Sequence, residues 1–595
     1  MSSPELPPAL SSMWRLCRLG MRYEPALMGV SFLLALAAAL PDALLAVWFK
    51  LLGEGLLENR PGLLRFAIVA LAVSAVATWL LQTVSTRLQR RFRDKVTIAL
   101  ESHVARLQAS IPTIAHQERP EYLDRLSVLR NQVYTLDHMY MSVFSTAGWL
   151  LRLAITVALL AAVNPVLITL VLFAIPTVVA TSWRPAVERA AQERGAQADR
   201  LARHLFTLST TAASGKELRV LGIGPALAAR RRESWERWYG PLAAARTRSA
   251  AWYAVGWAIF GLGYVGAIVV VAAGPHASPA STILVLTAGA RLSSYLSATV
   301  SEIGFLRGTW MDGAQRLAWL EDYAGAQARH ADIPAPEAIS RGIRFENVTF
   351  RYPGTDRPAL EDVDLFIPAG SVVAVVGENG AGKTTLVKLL AKLYAPSSGR
   401  ILVDGVDLAG MDSRRWRERL AGAFQDFFRF EFLAGQTIGV GDLPRLDLEP
   451  ALVTATDRAG ARDVVETLPA GLRTQLGPTW HEGVDVSYGQ WQKLALARGF
   501  MRDEPLVVAL DEPTAALDAE TEHQLFERYA GRARQGRRNG SVTILVSHRF
   551  STVRMADLIV VLDGARVAET GSHGELMARG GRYAQLYQIQ ARAYQ

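Results

Sequence analysis

The residues best suited to chemistry lie at 377–385, Gly-Glu-Asn-Gly-Ala-Gly-Lys-Thr-Thr. Their spacing is Gly377, four residues, then Gly382, Lys383 and Thr384. Such a run suits a polyphosphate. Glycines let the backbone wrap close and aim its N–H groups at an anion. A helix starting there adds its positive end. Lys383 offers a mobile point charge to terminal phosphates, and the Thr384 hydroxyl is a hard oxygen ligand for Mg2+. The competing reading is a glycine-rich turn that binds nothing. The flanks disfavour it, because SVVAVV reads as a short buried strand before the loop and TTLVKLLAKLY as a helix after it. The candidate phosphate-binding residues are therefore Gly377, Glu378, Asn379, Gly380, Ala381, Gly382, Lys383, Thr384 and Thr385.

A second element follows at LVVALDEPTAALD, residues 506–518. An apolar run leads into Asp511 and Glu512. Asp511 suits Mg2+, reached through water, and Glu512 is placed to polarise an attacking water as general base. An apolar run ending in acids is weak evidence by itself. Behind a phosphate loop, in this order, it points to nucleoside triphosphate hydrolysis.

Residues from about 342 to 580 resemble the nucleotide-binding domain of an ATP-binding cassette (ABC) transporter. The specific evidence is VSYGQWQKLALARGF, with Ser487, Gly489 and Gln490 upstream of the two acids. In that family this signature motif opens a helix that binds the γ-phosphate held by a second nucleotide-binding domain. The resemblance also implies that Tyr352 in FRYPG stacks on adenine. It implies that Gln425 in FQDFF senses Mg2+ and the membrane domain, that Asp518 communicates across the dimer, and that His548 in LVSHR contacts the γ-phosphate. The implied catalytic set is Glu512, His548 and Lys383, and the implied Mg2+ set is Thr384, Gln425 and Asp511. ATP and Mg2+ are the expected cofactors. Two departures stand out. Tyr488 occupies a signature position that is normally glycine, and in GPTWHEGVD Glu482 lies one place from the usual glutamate.

Around this engine the composition changes. Half of the 595 residues are hydrophobic, and the mean hydropathy of +0.15 is high for a soluble protein. Six segments are long and apolar enough to span a bilayer, about 26–50, 64–84, 143–163, 165–183, 251–273 and 280–304. The first is too long for a signal-peptide core and reads as a retained anchor. Ahead of it, SSMWRLCRLGMRYEP alternates apolar residues with Arg15, Arg18 and Arg22, the pattern of an amphipathic segment on a membrane face. Arginines crowd the two long connections, TRLQRRFRDK after the second segment and 184–232 after the fourth. The positive-inside rule puts these connections and both termini in the cytoplasm, in a cytoplasmic (inner) membrane. The net charge of +9 then reads as leaflet anchoring, with no nucleic acid as partner. The single cysteine, Cys17, excludes an intramolecular disulfide and reads as a packed thiol.

The expected organisation is a six-helix transmembrane domain over 1–325, a linker at 326–341 and an α/β P-loop ATPase domain over 342–595. This resembles a half-size ABC exporter of the domain-swapped type, and the resemblance covers nearly the whole chain. It implies a dimer, with a second copy or a sister half-transporter, that exports a small molecule, peptide or lipid-like substrate by alternating access. It also implies coupling helices, for which ERPEYLDRL at 118–126 and GKELRVLGIGPAL at 215–227 are the candidates. An importer of the same fold and an ATP-gated regulator that transports nothing are the alternatives. A peptidase-transporter is disfavoured, because few residues precede the first span. Asp42 and Arg291 fall inside spans 1 and 6, as cargo contacts or as residues where a helix leaves the bilayer.

Overall fold

The computed structural model describes residues 6–133, 136–212, 214–274, 278–306, 310–327, 332–512, 539–547 and 553–593. His548 and Asp518 lie outside the described residues. The chain forms two units. The first is Met1–Leu107 with Arg125–Asp322, and the second is Gln108–Asp124 with Tyr323–Gln595.

Long apolar runs satisfy their backbone only as helices once water is absent. The first unit accordingly has six helices long and apolar enough to cross a membrane: Pro25–Leu57, Pro61–Ser110, Asp137–Val163, Pro165–Arg184, Gly224–Ala272 and Pro279–Phe305. These are spans 1 to 6. Several open on a proline, where a missing N–H costs nothing. Asn164 and Ser278 cap the fourth and sixth by accepting from the amides of Val166 and Ser281. Span 2 has 50 residues, about 75 Å of helix, more than twice a hydrocarbon core of about 30 Å. Spans 2 and 5 therefore run on past any bilayer as helix, burying Phe92, Val96 and Leu100 in one and Leu242 and Ala245 in the other. Span 1 breaks at Ala38 into Pro25–Ala37 and Ala39–Leu57. Pro41 is the cause, since it has no N–H to offer the carbonyl four residues back.

The N-terminal helix Ala9–Tyr23 buries Ser12, Leu16 and Gly20 and exposes Leu10, Trp14 and Met21. Its buried face meets span 3, where the Tyr140 hydroxyl donates to the Leu16 carbonyl at 2.6 Å. A Cβ at Gly20 would lie 2.7 Å from the Tyr140 ring. The 215–227 candidate lies in this unit and is divided: Gly215–Leu221 is a helix closed by left-handed Gly222, with Val220 and Leu221 exposed, and Gly224 already opens span 5.

Alternating and fully apolar runs build two sheets in the second unit. Strands β1 (Gly342–Phe350), β2 (Leu360–Pro368), β4 (Ser398–Val403) and β5 (Val406–Asp407) form an antiparallel sheet ordered β2-β1-β4-β5. The other sheet contains β3 (Val372–Gly377), β6 (Leu420–Ala423), β7 (Val507–Asp511), β8 (Val542–Val546), β9 (Leu558–Asp563) and β10 (Arg566–Gly571), ordered β10-β9-β3-β8-β7-β6. Only β10 runs antiparallel to its neighbour there. In such a sheet ligands gather at the carboxyl ends of the strands.

Two short stretches join this unit from outside the ATPase domain expected at 342–595. The linker adds Ile333, which pairs with Met411, and Asp404 accepts from the amides of Ser340, Arg341 and Gly342 at 2.6, 2.7 and 2.9 Å. The second stretch is Gln108–Asp124, which the sequence reading counts with the membrane part. The Ile114 amide donates to the Leu393 carbonyl at 2.9 Å. Arg417 donates to the Pro112 carbonyl, and the Tyr394 hydroxyl donates to Glu118. His116 is buried between Tyr122 and Tyr323, with ring centroids 4.7 and 6.0 Å away. The contacts thus centre on 112–118, at the N-terminal side of the 118–126 stretch that the resemblance offers as a coupling helix.

Candidate nucleotide site

The phosphate loop leaves β3, an interior strand flanked by β8 and β9, and enters the helix Lys383–Leu390. Glycine is required on steric grounds at two points. A Cβ at Gly377 would sit 2.3 Å from the Leu562 carbonyl oxygen. At Gly382, which has φ +102°, it would sit 2.4 Å from that of Ala359. Lys383 folds back into the loop, and its Nζ donates to the carbonyls of Gly377 and Glu378, both at 2.9 Å. Burial pulls its pKa below the usual lysine value, and the Glu512 and Asp511 charges pull it back up. The first amides of the following helix have no acceptor within it, so the loop presents N–H groups and a buried ammonium together.

Strand β7 brings the two acids to the same end of the sheet. Asp511 is 1% exposed. Neither of its carboxylate oxygens has a hydrogen bond of ordinary geometry among the described residues. Burial pushes its carboxyl above the usual carboxylate range, the facing Thr384 hydroxyl pulls it down, and the Glu512 and Asp426 charges push it up. A buried carboxylate beside a threonine hydroxyl is the donor set a hard divalent cation takes, so these residues fit Mg2+. Glu512 follows with φ +46°, a conformation that strains a residue with a side chain. Its amide is fixed on the Val546 carbonyl at 3.0 Å, and its carboxylate accepts from Gln425 Nε2 at 2.8 Å.

Tyr352 reaches the loop through its hydroxyl, 3.0 Å from Thr385 Oγ1, while its ring packs on Phe350 and Tyr394. The structure thus gathers Tyr352, Gly377–Thr385, Gln425, Asp511 and Glu512. It does not bring the signature residues to them. Ser487 caps a separate helix, Tyr488–Gly499, in a reciprocal capping box with Gln490. Among the described residues no hydrogen bond joins Ser487, Gly489 or Gln490 to the phosphate loop. Tyr488 packs its ring on Phe427 at 5.4 Å, with the Arg429 guanidinium 5.6 Å from the ring centroid.

One partner of the loop escaped the sequence reading. Arg582, at the start of the C-terminal helix Arg582–Ala593, pairs with Glu378 and lies 3.8 Å from Asp563. No local pattern announces a pair 204 positions apart.

With this geometry in place, comparison with known proteins is informative. Residues 360–515 match the ABC transporter family, whose domain binds ATP. The ATP-dependent lipid A-core flippase of Cupriavidus pinatubonensis is 42% identical over 255 residues, which are 43% of this chain and 42% of the flippase. That of Pseudomonas aeruginosa is 38% identical over 254 residues, 42% of this chain and 40% of that one. The matched stretch thus spans about two fifths of the length of these curated relatives. A bacterial Atm1-family ABC exporter solved with ATP bound superposes with a TM-score of 0.74 at 25% identity, over 96% of this chain and 98% of the other. The chain carries an ABC transporter domain in its C-terminal half, joined to six apolar helices in a multi-pass membrane architecture, and has the fold of a half-size ABC exporter.

Proposed function

We propose that the chain is an ATP-driven exporter that works as a dimer in the cytoplasmic membrane with both termini in the cytoplasm. The observation that supports this most is the meeting of Lys383, Thr384, Gln425, Asp511 and Glu512 at the carboxyl ends of β3 and β7. In this reading Lys383 and the loop amides hold the phosphates, Tyr352 stacks on adenine, and Thr384, Gln425 and Asp511 hold Mg2+. The metal would neutralise phosphate charge. Glu512 accepts the proton of the water that attacks the terminal phosphorus, and Gln425 holds its carboxylate in position. His548 contacts the γ-phosphate. Ser487, Gly489 and Gln490 open a helix of their own, so their phosphate is one held by a second chain. The cargo class is lipid-like, the class named for the flippase relatives.

ATPase activity of the purified chain in lipid nanodiscs tests the reading. Glu512→Gln is expected to bind ATP normally and to lose about 10²-fold or more of kcat, the scale of a general base. A Gln variant as fast as wild type would remove Glu512 from the mechanism.

A further inference from the structure

The membrane unit holds a charge cluster that nucleotide chemistry does not use. It joins Asp42 of span 1, Arg152 of span 3 and Arg291 with Tyr295 of span 6, all near the middle of their helices. The Asp42 carboxylate accepts from Arg152 Nε at 3.1 Å, from the Tyr295 hydroxyl at 2.9 Å and from Arg291 Nη1. Sequence reading names Asp42 and Arg291 and misses Arg152 and Tyr295.

The two arginines are not equivalent. Arg152 is buried and held through Nε and Nη2. Its Nη2 donates to the Ala38 carbonyl at 3.4 Å, at the break in span 1, and its guanidinium lies 4.6 Å from the Trp149 ring centroid. Arg291 spends only Nη1, on Asp42 and Tyr295, and its side chain is 40% exposed. Among the described residues its Nε and Nη2 have no hydrogen-bond partner. That pair is the edge of a guanidinium that grips a carboxylate or phosphate with two parallel bonds. The charges do not balance either, with two guanidiniums against one carboxylate. The nearest other charges along spans 1 and 6 are about two turns away or more and are engaged, Lys50 with Glu54 and Glu302 with Ser142. An uncompensated charge at membrane depth is expensive unless an anion or water meets it.

We propose that Arg291, oriented by Asp42 and Tyr295 and supported by Arg152, is the binding site for an anionic headgroup, carboxylate or phosphate, of an amphiphilic substrate. This rests on the transport reading and narrows its cargo class. Asp42 fixes one edge of the guanidinium and leaves the other free, so the site is built before the ligand arrives.

The test titrates the full-length protein in zwitterionic nanodiscs with three probes sharing a dodecyl tail: dodecyl phosphate, tridecanoate and neutral dodecyl maltoside. Calorimetric binding is corrected with empty nanodiscs. Wild type is expected to bind at least one anion about tenfold or more tightly than the maltoside, the scale of a charge-assisted pair. The stronger anion tells phosphate from carboxylate cargo. Arg291→Gln should remove the preference and leave maltoside binding unchanged. Arg291→Lys, which keeps the charge and loses the fork, should fall between. Asp42→Asn, which removes the competing charge, should tighten anion binding and stands as the second variant if Arg291→Gln misfolds. Equal binding of all three probes by wild type overturns the proposal, as does an equal loss for all three in Arg291→Gln. Probe-stimulated ATPase activity is read separately. Its absence alongside an intact anion preference would count against transport and not against the site.

Discussion

Asp511 is a charge that the folded chain holds at a cost until something meets it. An unpartnered buried polar group costs roughly 1–3 kcal/mol. An ionised one costs more, so Asp511→Asn, which keeps the buried polar group and removes its charge, is expected to raise the thermal stability of the nucleotide-free protein and to abolish the added stabilisation by Mg2+-ATP. The sign in pH follows from the raised carboxyl. The folded state binds the proton more tightly than the unfolded one, so the penalty is full above the folded pKa and disappears below the model-peptide value of 3.8. Wild type should gain on the variant as acid is added across that window, and a scan of unfolding midpoints against pH reads it. At this scale the sequence is most legible where chemistry is local. Lys383, Thr384, Asp511 and Glu512 announce themselves within short motifs. Arg582 and Arg152 do not, because one partner is distant in the chain and the other is a lone charge that leaves its apolar helix pattern intact.

Elements transmit what the residues do. The signature helix is tied to the segment bearing Gln425 by the Tyr488–Phe427 stack and the Arg429 guanidinium, while Gln425 holds Glu512. On the proposed reading, Tyr488 is a brace between the helix offered to one nucleotide and the base that serves another. Tyr488→Gly removes a ring pair worth about 0.5–1.5 kcal/mol. It should lower kcat by up to about tenfold with KM for ATP unchanged. A changed KM with constant kcat would argue against the brace. The turn Ala115–Glu118 makes a pH prediction. Burial first, then the Arg119 charge, depress the His116 pKa, against the Thr113 backbone. The unfolded histidine therefore takes a proton first, and the second unit loses stability as pH falls below 6.5. His116→Phe should flatten that part of the profile in thermal scans between pH 7 and 5. Periodicity made the spans readable. The allegiance of 108–124 was not, because a charged helical stretch reads alike whether it is solvated or seated in a socket.

The two units are not two consecutive stretches of chain. The second unit is discontinuous, made of Gln108–Asp124 and Tyr323–Gln595. A fragment that begins at the linker lacks the residues that pack on Leu393, Tyr394 and Arg417. Such a fragment should melt below the full unit, and a synthetic peptide of residues 108–124 should restore part of the difference in differential scanning. A peptide with no effect would show the socket to be stable without its plug.

That discontinuity also sets a clock. Arg417 is synthesised 305 positions after the Pro112 carbonyl it will bind, a delay of roughly 15–60 s at about 5–20 residues per second. Through that interval 108–124 waits while the later apolar helices are made and inserted. The ATPase core must then close around a loop whose two ends are already anchored. Nucleotide chemistry therefore comes last in the life of each chain, after the membrane part is in place.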